Sequence, residues 1–489
     1  MWKQWMMAAM LVAGLSWVIS AQDAQTIINN ASKAIGADTL KTVEYSATGF
    51  DYALGESDSP TTPWPKWIVK SYTRQVDFDR SASKSDRVRM QGEKPMRGGN
   101  TQPMIGEVHA NQTIIVDDKT PWVTQLEIVM LPQGFLRAAK ANNATLSRES
   151  LGGKQYQVLT FMGQNKAPVK GYINDQNLVE RVSTLIDNPF LGDMPFFATY
   201  TNYKDFGGTK FPTKIVVEQG GWPIWNLDVS DVKPNAAVDI QAPPPPANPA
   251  PPGPPLGSVA TSVKLDEGIW RVYAPGYASL VVDFKDYIVV LEAPQQEFRA
   301  IAMLNEIHRL LPNKRIGYIV NTHNHFDHIM GARAFVDEGA TLITHEAHKE
   351  YYEKVFPLPH TLNPDRLWKS KKPLKMETMK EKKVLTDGNQ VIELYHDQGS
   401  RHDTGLIFAY LPKQKILLEA DVFSPAAQPN APTPAVISEF AVSLVNNIER
   451  LKLDVKTIVP VHYPADGRTV TLADLYKFIG RTAPGAAAN

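Results

Sequence analysis

A proline-rich segment is the feature that most constrains how this chain can fold. Residues 242–258 read APPPPANPAPPGPPLGS. Because proline lacks a backbone N–H and has a fixed φ, this run forms neither a helix nor a central strand and acts as a stiff spacer. The chain of 489 residues is also too long for one ordinary core. We therefore expect two units, residues 22–241 and 259–489, which fold independently because few contacts cross a stiff spacer.

The N-terminal segment has the composition of a targeting sequence. Residues 2–21 read WKQWMMAAMLVAGLSWVISA, with an early Lys3, a short apolar stretch, and small residues at Ser20 and Ala21. This pattern predicts a secretory signal peptide over residues 1–21 and a secreted or periplasmic protein without a transmembrane helix in the mature chain. The alternative is a buried or membrane-anchoring N-terminal helix.

Overall composition narrows the classes of partner and of metal site. Lys plus Arg and Asp plus Glu both number 51, and no basic run stands out, so we expect no nucleic-acid binding. The chain has no cysteine, which excludes disulfides and thiolate ligands. Any metal must therefore be held by histidines and carboxylates. The expected partner is a small-molecule substrate, and the sequence carries no signal for the oligomeric state.

Residues 22–241 show the pattern of a mostly antiparallel β domain. A short helix is predicted over Asp23–Ile35, where apolar residues recur at helical spacing before Gly36. Strand-like runs follow at Tyr156–Met162, Val169–Ile173, Leu178–Leu185, Lys214–Gln219 and Trp225–Val229. The succession of strands is similar to the half-barrel of periplasmic lipoprotein-carrier proteins, and a purely structural module is the equal alternative. The sequence assigns this unit no role.

Residues 259–489 alternate between strands and helices. The predicted strands are Ser279–Asp283, Tyr287–Leu291, Ile316–Asn321, Thr341–Thr344, Leu406–Leu411, Ile416–Glu419 and Thr457–Val461. Helices are predicted over Glu297–Leu311 and Ala441–Leu451. This alternation predicts a layered α/β domain.

Histidine is concentrated after the proline-rich segment. Of 11 histidines only His109 precedes it, and residues 322–328 read THNHFDH directly after a predicted strand. In an extended chain residues two apart point the same way, so His323, His325 and Asp327 are expected to converge. A turn into a helix near residues 331–336 would aim His328 at a second point beside the first. The spacing predicts a two-metal site, and the alternative is a polar loop with chance histidines.

The pattern His-x-His-x-Asp-His resembles the signature of the metallo-β-lactamase superfamily. The similarity covers roughly Ile269–Tyr463. His402 opens HDTGLIFAYLPKQKILLEAD, which ends at Asp421, and His462 closes the last predicted strand, in the superfamily's order of ligand His, strand, turn, strand and bridging residue. The resemblance implies an αββα sandwich for this unit.

The resemblance also implies a complete ligand set for two divalent metal ions. The implied ligands of the first metal are His323, His325 and His402, those of the second are Asp327, His328 and His462, and Asp421 bridges the pair. Zinc is the expected metal, with iron and manganese as alternatives. The expected chemistry is attack by a metal-bridging hydroxide on a polarised carbonyl, with Asp327 acting in catalysis as well as in binding.

Several other polar residues have two interpretations each. Asp403 is expected either to orient a ligand imidazole or to be a solvated loop carboxylate. Tyr463 is expected either to donate its hydroxyl to an oxyanion or to pack. His345, His348, His360 and His396 also follow the proline-rich segment and are left outside the metal set.

The expected function is hydrolysis of an ester, thioester, lactone or amide. A β-lactamase is an alternative, although there is no cysteine at the bridging position, Ser424 stands where a substrate-binding lysine is common, and Leu406 stands where asparagine is common. The tail after Tyr463 is too short for the substrate domain of glyoxalase II. An iron-dependent oxidoreductase and a metal-containing binding module are further alternatives. Residues 357–375 and 425–438 are the candidate pocket walls.

Overall fold

A computed structural model describes residues 21–244, 255–426, 428 and 431–484. The predicted signal peptide lies outside these residues except for Ala21, and so does most of the proline-rich segment. Both remain predictions. Among the residues described, no helix combines the length and the apolar character needed to cross a membrane.

One large sheet dominates the N-terminal unit. Its strands are β1 (Thr42–Tyr52), β2 (Lys66–Asp77), β3 (Ala82–Gln91), β4 (Val108–Ile115), β5 (Thr145–Leu151), β6 (Lys154–Met162), β7 (Pro168–Ile173), β8 (Val179–Asn188), β9 (Gly192–Phe206), β10 (Thr209–Gln219) and β11 (Trp222–Pro234). Neighbouring strands are all antiparallel, in the order β4-β3-β2-β1-β11-β10-β9-β8-β7-β6-β5. The predicted antiparallel β architecture is confirmed.

Three helices cover one face of this sheet: α1 (Ala21–Ile35), α2 (Trp122–Val129) and α3 (Pro132–Ala141). Helix α1 buries Ala24, Ile28, Ala31 and Ile35, which lie on one face because they are three or four residues apart. Helices α2 and α3 were not predicted from the sequence. Proline at the first position of α3 separates two short helices, neither long enough for a clear helical pattern.

Two sheets form the C-terminal unit. The first contains β12 (Thr261–Asp266), β13 (Ile269–Ala274), β14 (Tyr277–Asp283), β15 (Ile288–Leu291), β16 (Ile316–Val320), β17 (Thr341–His345) and β18 (Met376–Met379), with helices α4 (Glu297–Leu310), α5 (Phe326–Ile329), α6 (Ala332–Asp337), α7 (Lys349–Val355) and α8 (Arg366–Ser370). The second contains β19 (Lys382–Thr386), β20 (Val391–His396), β21 (Ile407–Leu411), β22 (Ile416–Glu419), β23 (Thr457–Pro460) and β24 (Val470–Thr471), with helices α9 (Glu439–Leu451) and α10 (Leu472–Phe478).

These elements stack as four layers. A buried cluster joins the facing sides of the two sheets, with Leu280 and Val289 from the first and Leu394 and Leu418 from the second. A second cluster packs the outer face of the first sheet against α4, α6 and α7, and a third packs the second sheet against α9 and α10. The central strands β14, β15, β21 and β22 are buried on both faces, which explains their continuous apolar sequences. The predicted αββα sandwich is confirmed.

The two sheets meet along one edge, where loops leave the parallel strand pairs. Strands β15 and β16 are parallel, and so are β22 and β23, so their carboxyl ends lie side by side. Ile407 N donates to Thr322 O at 2.9 Å, and Ala278 N donates to Val461 O at 2.7 Å. These hydrogen bonds fix the loops of both sheets at a common edge.

The N-terminal unit packs directly against the C-terminal unit through loops far from the proline-rich segment. Phe190, which is 0% exposed, contacts the rings of Phe326, Tyr351, Tyr352 and Phe356. Its contacts belong to the buried cluster beneath α4, α6 and α7. The structure therefore differs from the expectation of few contacts between the units, while their independent folding stays a prediction.

Candidate metal centre

The predicted ligands leave the strands at the shared edge of the two sheets. His323 and His325 follow β16, Asp421 follows β22, and His462 follows β23. His402 lies in the loop between β20 and β21, which turns at the same edge. Asp421 has a φ of 64°, in the left-handed region that few non-glycine residues adopt. Such a conformation at a polar turn is typical of functional sites.

Asp327 and His328 reach the site through a helical turn. Helix α5 begins at Phe326, and Ile329 N donates to His325 O at 3.1 Å. The alternation expected of an extended chain therefore applies to His323 and His325, and it is wrong for Asp327. The turn points the side chains of Asp327 and His328 toward a second group of ligand atoms. His323 and His325 belong to the first group.

The first group of ligand atoms consists of three imidazoles and one carboxylate oxygen: His323, His325, His402 and Asp421. His323 Nε2 lies 3.3 Å from His402 Nε2. Asp421 Oδ2 lies 3.7 Å from His323 Nε2, 4.0 Å from His325 Nδ1 and 3.5 Å from His402 Nε2. The three histidine side chains are fully buried.

The second group contains two imidazoles and two carboxylates: Asp327, His328, Asp421 and His462. Asp421 Oδ1 lies 3.1 Å from His328 Nε2 and 2.8 Å from His462 Nε2. Asp327 Oδ2 lies 3.5 Å from each of the same two nitrogens. The two oxygens of Asp421 thus face different groups.

Both groups fit a divalent cation. Ligand atoms at about 2.0–2.2 Å from a tetrahedral centre lie about 3.3–3.6 Å apart, close to most of the separations above. The buried atoms His325 Nδ1, His328 Nε2 and Asp421 Oδ1 make no hydrogen bond with any of the residues described. Unpaired polar atoms are costly in a protein interior, and a cation at each group would satisfy all three of these atoms.

The electrostatics of the imidazoles differ between the groups. Burial and neighbouring imidazoles hold the pKa of His323 well below its usual value and lower the pKa of His325 to about 3. Burial also acts to lower the pKa of His328 and His462, but the Asp421 carboxylate outweighs it, raising the first well above its usual range and the second to about 10. A cation therefore meets neutral imidazoles at His323 and His325 and displaces protons from His328 and His462.

Residues outside the predicted set hold the ligands in orientation. Glu292, fully buried, accepts hydrogen bonds from His328 Nδ1 at 2.8 Å and from Thr322 N at 2.6 Å. Tyr277 donates its hydroxyl to Asp327 Oδ2 at 3.0 Å. Groups of this kind fix the tautomer and orientation of a ligand. The sequence analysis did not identify either residue. Glu292 directly follows an apolar strand and has a φ of 73°, and this unusual backbone conformation is visible only in the structure.

Asp403 lies beside the ligand loops without touching a ligand imidazole. Its carboxylate contacts His348 Nε2 at 2.8 Å, accepts from Gly405 N at 2.6 Å and also accepts from the Asn324 side chain. It is fully buried, so it is not a solvated loop carboxylate. Burial opposes ionisation, but contact with His348 and the hydrogen bonds lower the pKa of Asp403 to about 2. The carboxylate thereby ties the loop of His402 to the loop of His325.

The remaining predicted residues are placed away from the ligand atoms. The Tyr463 hydroxyl donates to Arg468 O at 2.8 Å, and its ring packs under Arg271 at 3.9 Å. His345 and His396 stack with ring centroids 4.5 Å apart. None of these three contacts involves the ligand groups.

A residue of the N-terminal unit also reaches the centre. Glu56 lies in the segment between β1 and β2, and its Oε2 is 3.5 Å from His325 Nδ1. With His325 and Asp327 it forms a third compact group of ligand-type atoms. Nothing in the local sequence around Glu56 indicated this position, because the contact joins residues more than 260 positions apart.

Comparison with known proteins places the C-terminal unit in a family. Residues 295–462 match the sequence model of the family described as "Metallo-beta-lactamase superfamily". A search of curated proteins found no match. Among solved structures, a metallo-β-lactamase from Pontibacter korlensis is 19% identical, with 45% of this chain and 97% of that chain covered and a TM-score of 0.34. The DIM-1 metallo-β-lactamase is 20% identical, with 45% and 96% covered and a TM-score of 0.33. From the family match and the buried His/Asp groups, residues 295–462 are a metallo-β-lactamase superfamily domain.

Proposed function

We propose that this chain is an exported hydrolase that uses two divalent cations, most simply zinc, to cleave an ester, thioester, lactone or amide. The observation that carries the proposal is the placement of Asp421. Its Oδ2 faces the first group of ligand atoms, and its Oδ1 faces the second. A pair of divalent cations at such a site lowers the pKa of water and polarises a carbonyl oxygen.

Each ligand has a defined task in this proposal. His323 and His325 bind the first cation as neutral imidazoles, since burial keeps them unprotonated, and the buried His402 supplies the third imidazole. His328 and His462 bind the second. The Glu292 carboxylate accepts the Nδ1 proton of His328, which leaves Nε2 free for the cation.

Asp327 is the proposed catalytic residue as well as a ligand. Its Oδ2 accepts the Tyr277 hydroxyl at 3.0 Å, and that hydroxyl in turn accepts from Gln295 Nε2 at 2.6 Å. Its Oδ1 is buried and makes no hydrogen bond with the residues described. The pKa of Asp327 is far below its usual value despite burial, chiefly because of His328, so the group is an acceptor only. Oδ1 is therefore available to orient the attacking water.

Export is supported by the N-terminal sequence alone. Residues 2–21 carry the charge, apolar stretch and small residues of a signal peptide. N-terminal sequencing of the protein recovered from the periplasm or medium tests this part. Intact Met1 on protein found only in the cytoplasm would contradict it.

Metal analysis combined with a hydrolysis screen tests the rest. The purified full chain is assayed on carboxylic ester, thioester, lactone, lactam, phosphoester and sulfate-ester probes, before and after chelation and after restoring zinc, iron or manganese. We expect two metals per chain and zinc-restored cleavage of a carbonyl-type probe. A chelated protein with full activity, or a loaded protein inert on every probe, would refute the proposal.

A further inference from the structure

A segment of the N-terminal unit lies over the metal centre and is held there from both sides. This segment, residues 53–65, connects β1 to β2. Gly55 O accepts from Phe326 N at 3.2 Å, Ser57 O accepts from Asn324 Nδ2 at 3.3 Å, and Asp58 O accepts from Thr404 N at 2.8 Å. The donors belong to residues on either side of His325 and to the loop that carries His402. The backbone on both sides of Glu56 is therefore attached to the ligand loops.

Two glycines allow this close approach. Gly55 has a φ of 83°, and a Cβ there would lie 2.5 Å from the Phe326 ring. Gly98, which follows β3 in the N-terminal unit, has a φ of 54°, and its Cβ would lie 2.2 Å from Glu56 O. Any other residue at either position needs a backbone shift. The local sequence is thus compatible with contact between the segment and the ligand loops.

The Glu56 carboxylate faces the ligand atoms and lacks another cationic partner. In the described ranges of the chain, His325 is the only basic side chain within 4.0 Å of it, at 3.5 Å from Nδ1. The same nitrogen lies 4.0 Å from Asp421 Oδ2, an atom of the first group, and it makes no hydrogen bond with the residues described. Both Asp327 and Asp421 also lie nearby and repel Glu56. Without a lysine or arginine in contact, a carboxylate placed beside two other carboxylates is stabilised by a cation bound at these ligand atoms.

The position of Glu56 links the two groups. His325 belongs to the first group and Asp327 to the second, and Glu56 forms a compact set with both. Two divalent cations carry four positive charges, of which Asp327 and Asp421 neutralise two. A third carboxylate reduces the remaining charge and favours retention of both ions.

We propose that Glu56, supplied by the N-terminal unit, is an additional metal ligand of the centre at the junction of the two groups. This inference rests on the proposed two-metal function. It gives the N-terminal unit a role that its sequence did not indicate: the unit completes the metal centre, and metal binding in turn holds the two units together.

Cobalt(II) titration of the full-length protein tests the inference. Glu56→Gln keeps the size of the side chain and removes its charge, and Glu107→Gln, at an exposed residue before β4, is the matched control. We expect the dissociation constant of the more weakly bound Co²⁺ to rise at least about 10-fold in Glu56→Gln, with a change in the visible spectrum of the bound metal. Glu107→Gln should titrate as the unsubstituted protein does.

Thermal unfolding of the metal-free proteins separates metal binding from a purely structural role. Because Glu56 faces other carboxylates, removing its charge should leave the metal-free melting temperature unchanged or higher and reduce the increase that Co²⁺ produces. Unchanged Co²⁺ affinity and spectrum would overturn the inference. So would a lowered metal-free melting temperature that accounts for the lost binding. If the unsubstituted protein itself bound no Co²⁺, the proposed function would be at fault.

Discussion

Replacing Asp421 by alanine removes the one side chain that both groups of ligand atoms share. Asp421 Oδ1 lies 2.8 Å from His462 Nε2, and Oδ2 lies 3.5 Å from His402 Nε2. Each group keeps three of its four members after the substitution. The two cations would then face one another without the carboxylate between them.

The repulsion that Asp421 screens can be compared with the affinity of a metal site. Two divalent cations about 3.5–4 Å apart repel by about 18 kcal/mol at an effective dielectric constant of about 20. Structural zinc sites bind with about 10–16 kcal/mol. The repulsion therefore exceeds the binding free energy of a second ion. We expect Asp421→Ala to retain about one metal per chain, held by His323, His325 and His402, and to lose most hydrolysis.

Metal stoichiometry and turnover are measured side by side on the same preparation. Asp454→Ala, at a residue whose side chain is 72% exposed, is the control and should keep two metals and full activity. Two bound metals with full turnover in Asp421→Ala would remove Asp421 from the centre. A folded Asp421→Ala protein that binds no metal would contradict the assignment of the three histidines as a separate site.

Three further substitutions test other parts of the structure. Glu292→Gln should weaken metal binding about 10-fold to 100-fold, since the ligand His328 loses its charged acceptor; unchanged affinity in a chelator competition would show that Glu292 is not needed. Burial raises the pKa of Asp397 from 3.8 to about 7, against two hydrogen bonds that partly offset it. Because the pKa of Asp397 is higher in the folded state than in the unfolded state, this carboxyl group adds to the free energy of unfolding at low pH. The contribution is at most about 4 kcal/mol, is fully present below about pH 3.8, and is lost as the pH rises to about 7. Urea unfolding of Asp397→Asn should show a flatter stability profile between pH 4 and 7, and an identical profile would refute the assignment. Phe190→Ala should lower the free energy of unfolding by about 3–5 kcal/mol and destabilise the C-terminal unit; unfolding of that unit at an unchanged denaturant concentration would support independent folding.

The sequence by itself indicated much of the local structure and most of the candidate ligands. The runs 316–320 and 416–418 have no charged residue and are mostly apolar, which is typical of strands buried on both faces. His323, His325 and His402 were identifiable because imidazoles at strand ends have few structural explanations. Asp421 was identifiable by its position after a strand, in a chain without cysteine.

Only the tertiary structure decided which distant residues lie beside the candidate ligands. Glu292 contacts His328 because β15 and β16 are neighbours in one sheet, and Asp403 contacts His348 through the junction between the sheets. Glu56 approaches His325 because the N-terminal sheet packs on the C-terminal unit. Sequence periodicity reports the direction of a side chain within one element. Contacts between elements depend on how several buried faces pack together, and no local pattern carries that information.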